Sequence, residues 1–308
     1  MIRQSAFIAK NRMLKGALHC HTTRSDGNLS PADTMKLHKE NGYDFMALTD
    51  HRRYNYLDFA PELGLTVIPG MEADNGLSIR CSHGFRCYHT VCIGPAKEDG
   101  NGYDQDEVTP SFDAPDQETF QKYLDEIHSK NNLTIYCHPE WSSTPARYFE
   151  KLKGNFAMEI WNSGCVNDNE MDTDAAYWDE LLGQGIRIFG VATDDGHKFI
   201  DHCKGWVMVN AENNINSILE ALRSGAFYSS TGPEIYDFYV ENGKLVIDCS
   251  PASRIRIHAD CHPTRIAHAA AGELLTHGEY DISGYNYVRV SVADSEGRLA
   301  WTNPIFLD

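Results

Sequence analysis

What the chain lacks narrows its function before any motif is considered. No stretch approaches the ~18 consecutive apolar residues needed to cross a bilayer, and the first ten residues hold no apolar core of the length a secretory leader needs. A cytoplasmic protein with no membrane partner is therefore expected. Positive charge is scarce: 27 Lys and Arg face 44 Asp and Glu, a net charge of −17 that repels polyanions and predicts no nucleic-acid partner. The nine cysteines are odd in number and include no Cys-x-x-Cys pair, so neither a disulfide framework nor a zinc knuckle fits, and reduced core thiols are expected. A Gly-x-x-x-x-Gly-Lys phosphate loop, a Gly-x-Ser-x-Gly elbow and a dinucleotide fingerprint are all missing.

What is present is a globular chain of 308 residues, 42% hydrophobic and 23% charged, long enough for one or two domains. Strand and helix patterns alternate through most of it. A strand near 16–21 leads to a helix with Ser30 as N-cap, Pro31 at its first position and Gly42 just beyond its end. Apolar strand-like runs follow at 44–49, 65–69, 85–93, 133–137, 156–161, 186–192 and 205–209. Helical spacings at Phe120, Leu124 and Ile127, at Tyr177 and Leu181, and at Ile215, Leu219 and Leu222 separate several of them. About seven such units predict an α/β fold of parallel βαβ type, either a barrel or a doubly wound sheet. After Gly232-Pro233 the pattern changes to short strands with turns such as Asn242-Gly243. The expected division is residues 1–232 as the α/β domain and 233–308 as a small antiparallel β-sandwich.

The residues that carry chemistry sit at the ends of those strands. His19 and His21 are two apart and project to one side of an extended chain, with Asp26 returning from the loop after them. Further donors follow strand after strand: Thr49-Asp50-His51, Glu72, His89, Cys137-His138-Pro139 and Asp194-Asp195-Gly196-His197. In parallel α/β folds these carboxyl ends converge on one face, where ligands gather. His38 and His128 fall within helical patterns and are expected to face solvent. The histidines at 258, 262, 268 and 277 have no spaced partner and receive no catalytic role. Trp141 and Trp161 are candidates either for lining a pocket or for packing.

The ordered set His-x-His with Ser-Asp-Gly, Thr-Asp-His, Glu, a strand His, Cys-His-Pro and Asp-x-His resembles the polymerase and histidinol phosphatase (PHP) superfamily of metal-dependent hydrolases over roughly residues 14–232. The tail, with Tyr287–Asp294 followed by Ala300–Ile305, is similar to the β-rich end of the CehA/McbA-like branch. The resemblance implies a distorted seven-stranded (β/α) barrel holding two or three divalent ions of the Zn, Mn or Fe class. It places His19, His21, Glu72 and Asp195 around one ion and has Glu72 bridge to a second held by His89 and His138. Asp26, His51 and His197 take the third. Only the Asp-x-His register selects Asp195 over Asp194, and strand parity prefers His89 to its rival His83. Asp50 is expected to brace the loop or orient a histidine.

Three divalent ions set against the carboxylates of Asp26, Glu72 and Asp195 leave the site roughly +3, enough to attract a small anionic substrate within an acidic protein. Arg24, Arg52 and Arg53 lie on neighbouring loops as candidates to grip its non-reacting oxygens. The first functional expectation is a phosphoesterase in which a hydroxide bridging the ions beside Glu72 attacks phosphorus and His197 or a water protonates the leaving oxygen. An alternative keeps the ions and hydrolyses a carbamate, amide or carboxylic ester. A third has an inert barrel and a tail that binds a partner or glycan.

Overall fold

The computed structural model describes residues 4–7, 12–78, 86–262 and 264–307. Local chemistry sets the helix ends. Ser30 accepts from the Asp33 amide before helix Pro31–Glu40, Asp116 from Thr119 before Gln117–Ser129, and Asn214 from Ser217 before Ile215–Ser224. Each helix buries one stripe. Phe120, Tyr123, Leu124 and Ile127 form that stripe on Gln117–Ser129, while Ile218, Leu219 and Leu222 serve Ile215–Ser224. Between strands Ile235–Glu241 and Lys244–Ala252, Asn242 and Gly243 both adopt positive φ, 55° and 76°, as a tight two-residue hairpin turn requires.

The strands form three sheets. One has six members in the order Phe189–Thr193, Asn155–Asn162, Leu133–Tyr136, Arg86–Ile93, Gly70–Leu77 and Asp113–Ala114. Another, of ten strands, contains Phe45–Ala47, Leu14–Ala17, Trp206–Val209 and Phe227–Ser230 side by side. Between these two sheets lies a core that includes Leu14, Phe45, Ile68, Val91, Ile135, Val191 and Val207. The architecture is mixed α/β, but parallel pairing is not uniform. Strand Arg86–Ile93 runs antiparallel to both neighbours. The physical reason is the short link before it: a parallel crossover needs a dozen or more residues, and eight separate Leu77 from Arg86.

A seven-stranded barrel closed by continuous ladders is not what the pairing gives. The two sheets are open, and isolated bridges join their rims, Cys20 to Gly196 and His51 to Glu72. Beyond residue 232 the strands contribute to two layers. Ile235–Glu241, Lys244–Ala252 and Leu275–Asp281 belong to a four-stranded sheet, whereas Arg254–Ala259, Tyr287–Ala293 and Leu299–Thr302 extend the ten-stranded one. The joint is antiparallel pairing of Tyr228, Ser229 and Ser230 with Thr302, Trp301 and Ala300. Arg289, fully buried, crosses from the tail to Asp179 through its Nε at 2.8 Å and lies over the Trp178 ring.

Candidate metal centre

The rim where the two sheets meet collects the donors. Short strands Leu14–Ala17 and Phe45–Ala47 end just before His19, His21 and His51, while Glu72 and His89 lie within their strands and His138 and Asp195 follow Leu133–Tyr136 and Phe189–Thr193. Hydrogen bonds across the rim fix the chain there, from the Asp195 amide to the His19 carbonyl at 3.1 Å and from the Glu72 amide to the Thr49 carbonyl at 3.0 Å. His138 and Asp195 have φ of 28° and 47°. Such backbone costs about 1–3 kcal/mol per residue and persists where its surroundings enforce it, a pattern common at functional sites.

Three groups of donors result: His19, His21, Glu72 and Asp195; Glu72, His89 and His138; and His21, Asp26, His51 and His197. In the first, His19 Nε2 is 3.1 Å from His21 Nε2. Glu72 Oε2 lies 3.4 and 3.3 Å from these two nitrogens, and Asp195 Oδ1 lies 3.2 and 3.0 Å from them. In the second, His89 Nδ1 and His138 Nε2 are 3.0 and 3.5 Å from Glu72 Oε1. In the third, Asp26 is 3.5 Å from His51 Nε2 and 3.4 Å from His197 Nε2. His51 Nδ1 turns back to Glu72 Oε2 at 2.9 Å.

These separations fit metal ions. Bonds of about 2.0–2.1 Å in a tetrahedron put neighbouring donors about 3.3 Å apart, and the five separations of the first group span 3.0–3.4 Å. Hydrogen bonding does not account for the cluster. Glu72 Oε2, Asp195 Oδ1 and His51 Nδ1 are buried and make no hydrogen bond of acceptable geometry. Tautomers fit as well. His19 Nδ1 donates to Glu159 Oε1 at 2.7 Å, which leaves the Nε2 lone pair aimed into the group.

The same crowding sets the electrostatics. Burial would raise the Glu72 and Asp195 carboxyls, but the facing histidines hold both well below the usual range. Burial would lower the His51 ring; Glu72 and Asp26 override it and raise it to about 11. His197 is carried to about 9 against burial, by its bond to Asp26 and by Asp195. Left to themselves, these rings retain protons that a positive ion would displace.

The groups open on a cleft of about 420 Å³ that His51, Glu72, His89, His138, Asp195 and His197 line together with Trp141, Asp168, Lys198 and Asp201. Arg24, Arg52 and Arg53 line a neighbouring cleft of about 370 Å³ that shares Asp26 and His51. Arg24 donates to Asn55 at 2.6 Å and pairs with Asp106, and Arg52 Nε pairs with Asp74 Oδ1 at 2.8 Å. The cation within the main cleft is Lys198, which the sequence reading passed over beside His197; its Nζ is 2.5 Å from Asp168. Trp141 stands over His138, with ring centroids 5.0 Å apart.

Asp50 accepts from Thr22 N, Thr22 Oγ1 and Ser25 Oγ, bracing the loop that carries His21 and Asp26. Asp194 points away from the cleft and accepts from the Cys203, Lys204 and Gly205 amides. His83 lies outside the described residues. Glu159 was missed, although a carboxylate within the apolar run Phe156–Trp161 was a visible signal. His38 and His128 depart from the solvent-facing expectation. His38 is fully buried, and His128 donates or accepts across Nε2 with Thr134 Oγ1 at 2.8 Å.

The PHP domain family model matches residues 17–167. No curated protein matches the chain. A solved two-domain protein from Bacteroides vulgatus ATCC 8482, described as containing a predicted PHP-like metal-dependent phosphoesterase, is 16% identical with a TM-score of 0.51, covering 99% of this chain and 98% of its own. A putative metal-dependent phosphoesterase from Bifidobacterium adolescentis ATCC 15703 covers 70% of this chain and 98% of its own at 12% identity and TM-score 0.45. An amidohydrolase from Chromobacterium violaceum covers 60% and 88% at 13% identity and TM-score 0.39. At these identities only the first likeness bears on the argument, and it bears on the fold.

Proposed function

The chain carries a PHP domain over residues 17–167, and from that premise we propose that it is a metal-dependent hydrolase acting as a phosphoesterase on a small anionic substrate. The observation that carries this reading is the spacing of the first donor group, 3.0–3.4 Å between ring nitrogens and carboxylate oxygens. His19, His21, Glu72 and Asp195 would hold one divalent ion, Glu72 with His89 and His138 a second, and Asp26, His51 and His197 a third. When bound, such ions supply Lewis-acid charge and acidify a coordinated water.

The remaining roles belong to the protein. Glu159 fixes the His19 ring, and Asp50 fixes the loop bearing His21 and Asp26. His197, at the cleft edge, donates through Nδ1 to the Asp195 carbonyl, which turns Nε2 toward Asp26 as a donor for the third ion and leaves water to supply the proton to a leaving oxygen. Lys198 is the cation available to steer an anion, whereas Arg24, Arg52 and Arg53 would act only on a substrate reaching the neighbouring cleft. The tail's similarity to the CehA/McbA-like branch forms part of the proposal.

Without an ion, the cleft sets the carboxylates of Asp26, Glu72, Asp168, Asp195 and Asp201 against Lys198 and the protonated His51 and His197 rings, a net negative lining that repels anions until cations are bound. The test is a hydrolysis screen of Mn-, Fe- and Zn-loaded protein against phosphomonoesters, phosphodiesters and carbamates, with inorganic phosphate binding measured with and without metal. Phosphate ester turnover, with phosphate bound only by the loaded protein, is expected. Turnover confined to carbamates or carboxylic esters would replace the phosphoesterase reading, and no turnover with any metal would remove the enzyme.

A further inference from the structure

Along the strand end that presents His19 and His21 to the cleft, the side chain between them turns the other way. Cys20 Sγ enters a closed pocket with His38 of helix Pro31–Glu40 and His202 of the loop after Gly196. One donor atom from each lies within 4.8 Å of the others, and all three residues are buried. Cys20 Sγ is 3.8 Å from His202 Nδ1, the His38 and His202 rings are 5.5 Å apart, and Asp194 Oδ2 is 3.5 Å from His38 Nε2. The doublet Asp194-Asp195 thus divides as His19-Cys20-His21 does, with one member on each side.

Ordinary core packing leaves part of this pocket unexplained. His38 Nε2 is buried without a hydrogen-bond partner. The partners that do exist orient donors inward. His38 Nδ1 is held by the Thr34 carbonyl at 2.8 Å, which leaves the Nε2 lone pair free. Asp194 is pinned by amides of Cys203, Lys204 and Gly205 at 2.6, 2.9 and 2.8 Å. Fixing one ring nitrogen from outside so that the other faces a cation is how metal-binding histidines are oriented.

We propose that Cys20, His38 and His202 form a second, structural site for a divalent ion of the zinc class, with the Asp194 carboxylate beside His38. Bonds of about 2.3 Å to sulfur and 2.0–2.1 Å to nitrogen call for sulfur–nitrogen separations of about 3.6 Å. The observed sulfur–nitrogen separation of 3.8 Å between Cys20 and His202 is close to that value, and all three donors lie within 4.8 Å of one another. One thiolate and two imidazoles favour zinc over magnesium or calcium. Binding replaces the Cys20 thiol proton, which leaves to solvent, and no electron is transferred. The ion would tie helix Pro31–Glu40 and the 196–205 loop to the strand end that carries the cleft histidines. This inference does not depend on the proposed hydrolase activity.

The test uses full-length protein produced in zinc-depleted medium containing cobalt(II) chloride, so that the buried site fills as the chain folds. A sulfur-to-cobalt charge-transfer band in the near ultraviolet is expected. Cys20→Ser and His38→Gln should each lose the band and a single cobalt per chain, while Cys137→Ser, beside His19 and Glu159, should keep both. No band in the parent protein, a band that survives Cys20→Ser or His38→Gln, or a band lost only in Cys137→Ser would overturn the proposal. Should Cys20→Ser fail to fold, the parent spectrum and His38→Gln decide. A cobalt band without turnover on any substrate would sink the hydrolase reading and leave this one standing.

Discussion

Replacing Glu159 by Gln tests the logic of the centre without touching a proposed ligand. Its side chain is fully buried and receives four donors: His19 Nδ1 at 2.7 Å and Thr193 Oγ1 at 2.6 Å on one oxygen, the His138 amide and Asn162 Nδ2 at 2.9 Å each on the other. An amide offers one acceptor oxygen and directs an NH2 at the remaining pair of donors. If the nitrogen faces His19, the ring must abandon its Nδ1–H form or lose its partner, and the Nε2 lone pair is no longer held toward the group. Removing this kind of support from a ligating histidine typically costs 10- to 100-fold in metal affinity or activity, about 1.4–2.7 kcal/mol. If the nitrogen faces the other way, two buried N–H groups are left unpaired, at about 1–3 kcal/mol each in stability. Chelator competition gives the metal affinity, nitrogen NMR of the imidazoles gives the His19 tautomer, and thermal unfolding gives the stability. A folded Glu159→Gln protein with parental metal affinity, parental tautomer and parental melting temperature would refute the reasoning.

Three further outcomes are expected. Glu72→Gln, which alters the carboxylate shared by two donor groups, should release metal and lower activity further than Asp50→Asn, which disturbs only a loop brace; elemental analysis and turnover on the same samples check this. His258 is lowered to about 4 by burial and by Arg289, against an ordinary value of 6.5. Because the unfolded chain takes up the proton first, stability is fully present above about pH 6.5 and is lost as pH falls toward 4, by up to about 3 kcal/mol. His258→Gln should flatten that part of the unfolding free-energy profile, and an unchanged slope would count against it. Deleting residues 233–308 strips Phe227–Ser230 of its partner strand and takes Tyr287 and Trp301 from the core that holds Met158, Ile160 and Trp178. Aggregation or loss of cooperative unfolding is expected, whereas a folded 1–232 protein would establish a domain boundary near 232.

The parts that were legible in the sequence are those set by local rules. Ser30, Pro31 and Gly42 marked one helix because capping is a short-range affair, with Gly42 adopting the positive φ of 79° that follows such a helix end. His19, His21, Glu72, His89, His138 and Asp195 could be read as one collection because each followed or lay in an apolar run. What was illegible depended on docking. The helix bearing His38 shows its polar and apolar residues without revealing that Thr34, Met35 and His38 form the buried side. Strand direction at Arg86–Ile93 depended on pairing rather than on its own residues. Strands Arg265–His268 and Leu275–Asp281 were missed because their exposed, polar-rich sequences have little apolar alternation. The direction taken by Arg24 was set by Asn55 and Asp106, distant in sequence.

The rim bridges at Cys20–Gly196 and His51–Glu72 join two sheets that otherwise run as separate ladders, and two of the three donor groups draw ligands from both sides of that seam. His19 and His21 come from the ten-stranded side and Glu72 and Asp195 from the six-stranded side; Asp26 and His51 face His197 in the same way. Ions there would act as rivets, and breathing of the seam would be coupled to their free concentration. A species that binds only the closed form adds RT ln(1 + [L]/Kd) to its free energy, about 2.7 kcal/mol at one hundred times Kd. In a chelated sample, the amides of His21, Glu72 and Asp195 that cross the seam would exchange with deuterium sooner than those in the sheet interiors. Metal supply would then govern how long the molecule keeps its shape as well as what it can hydrolyse.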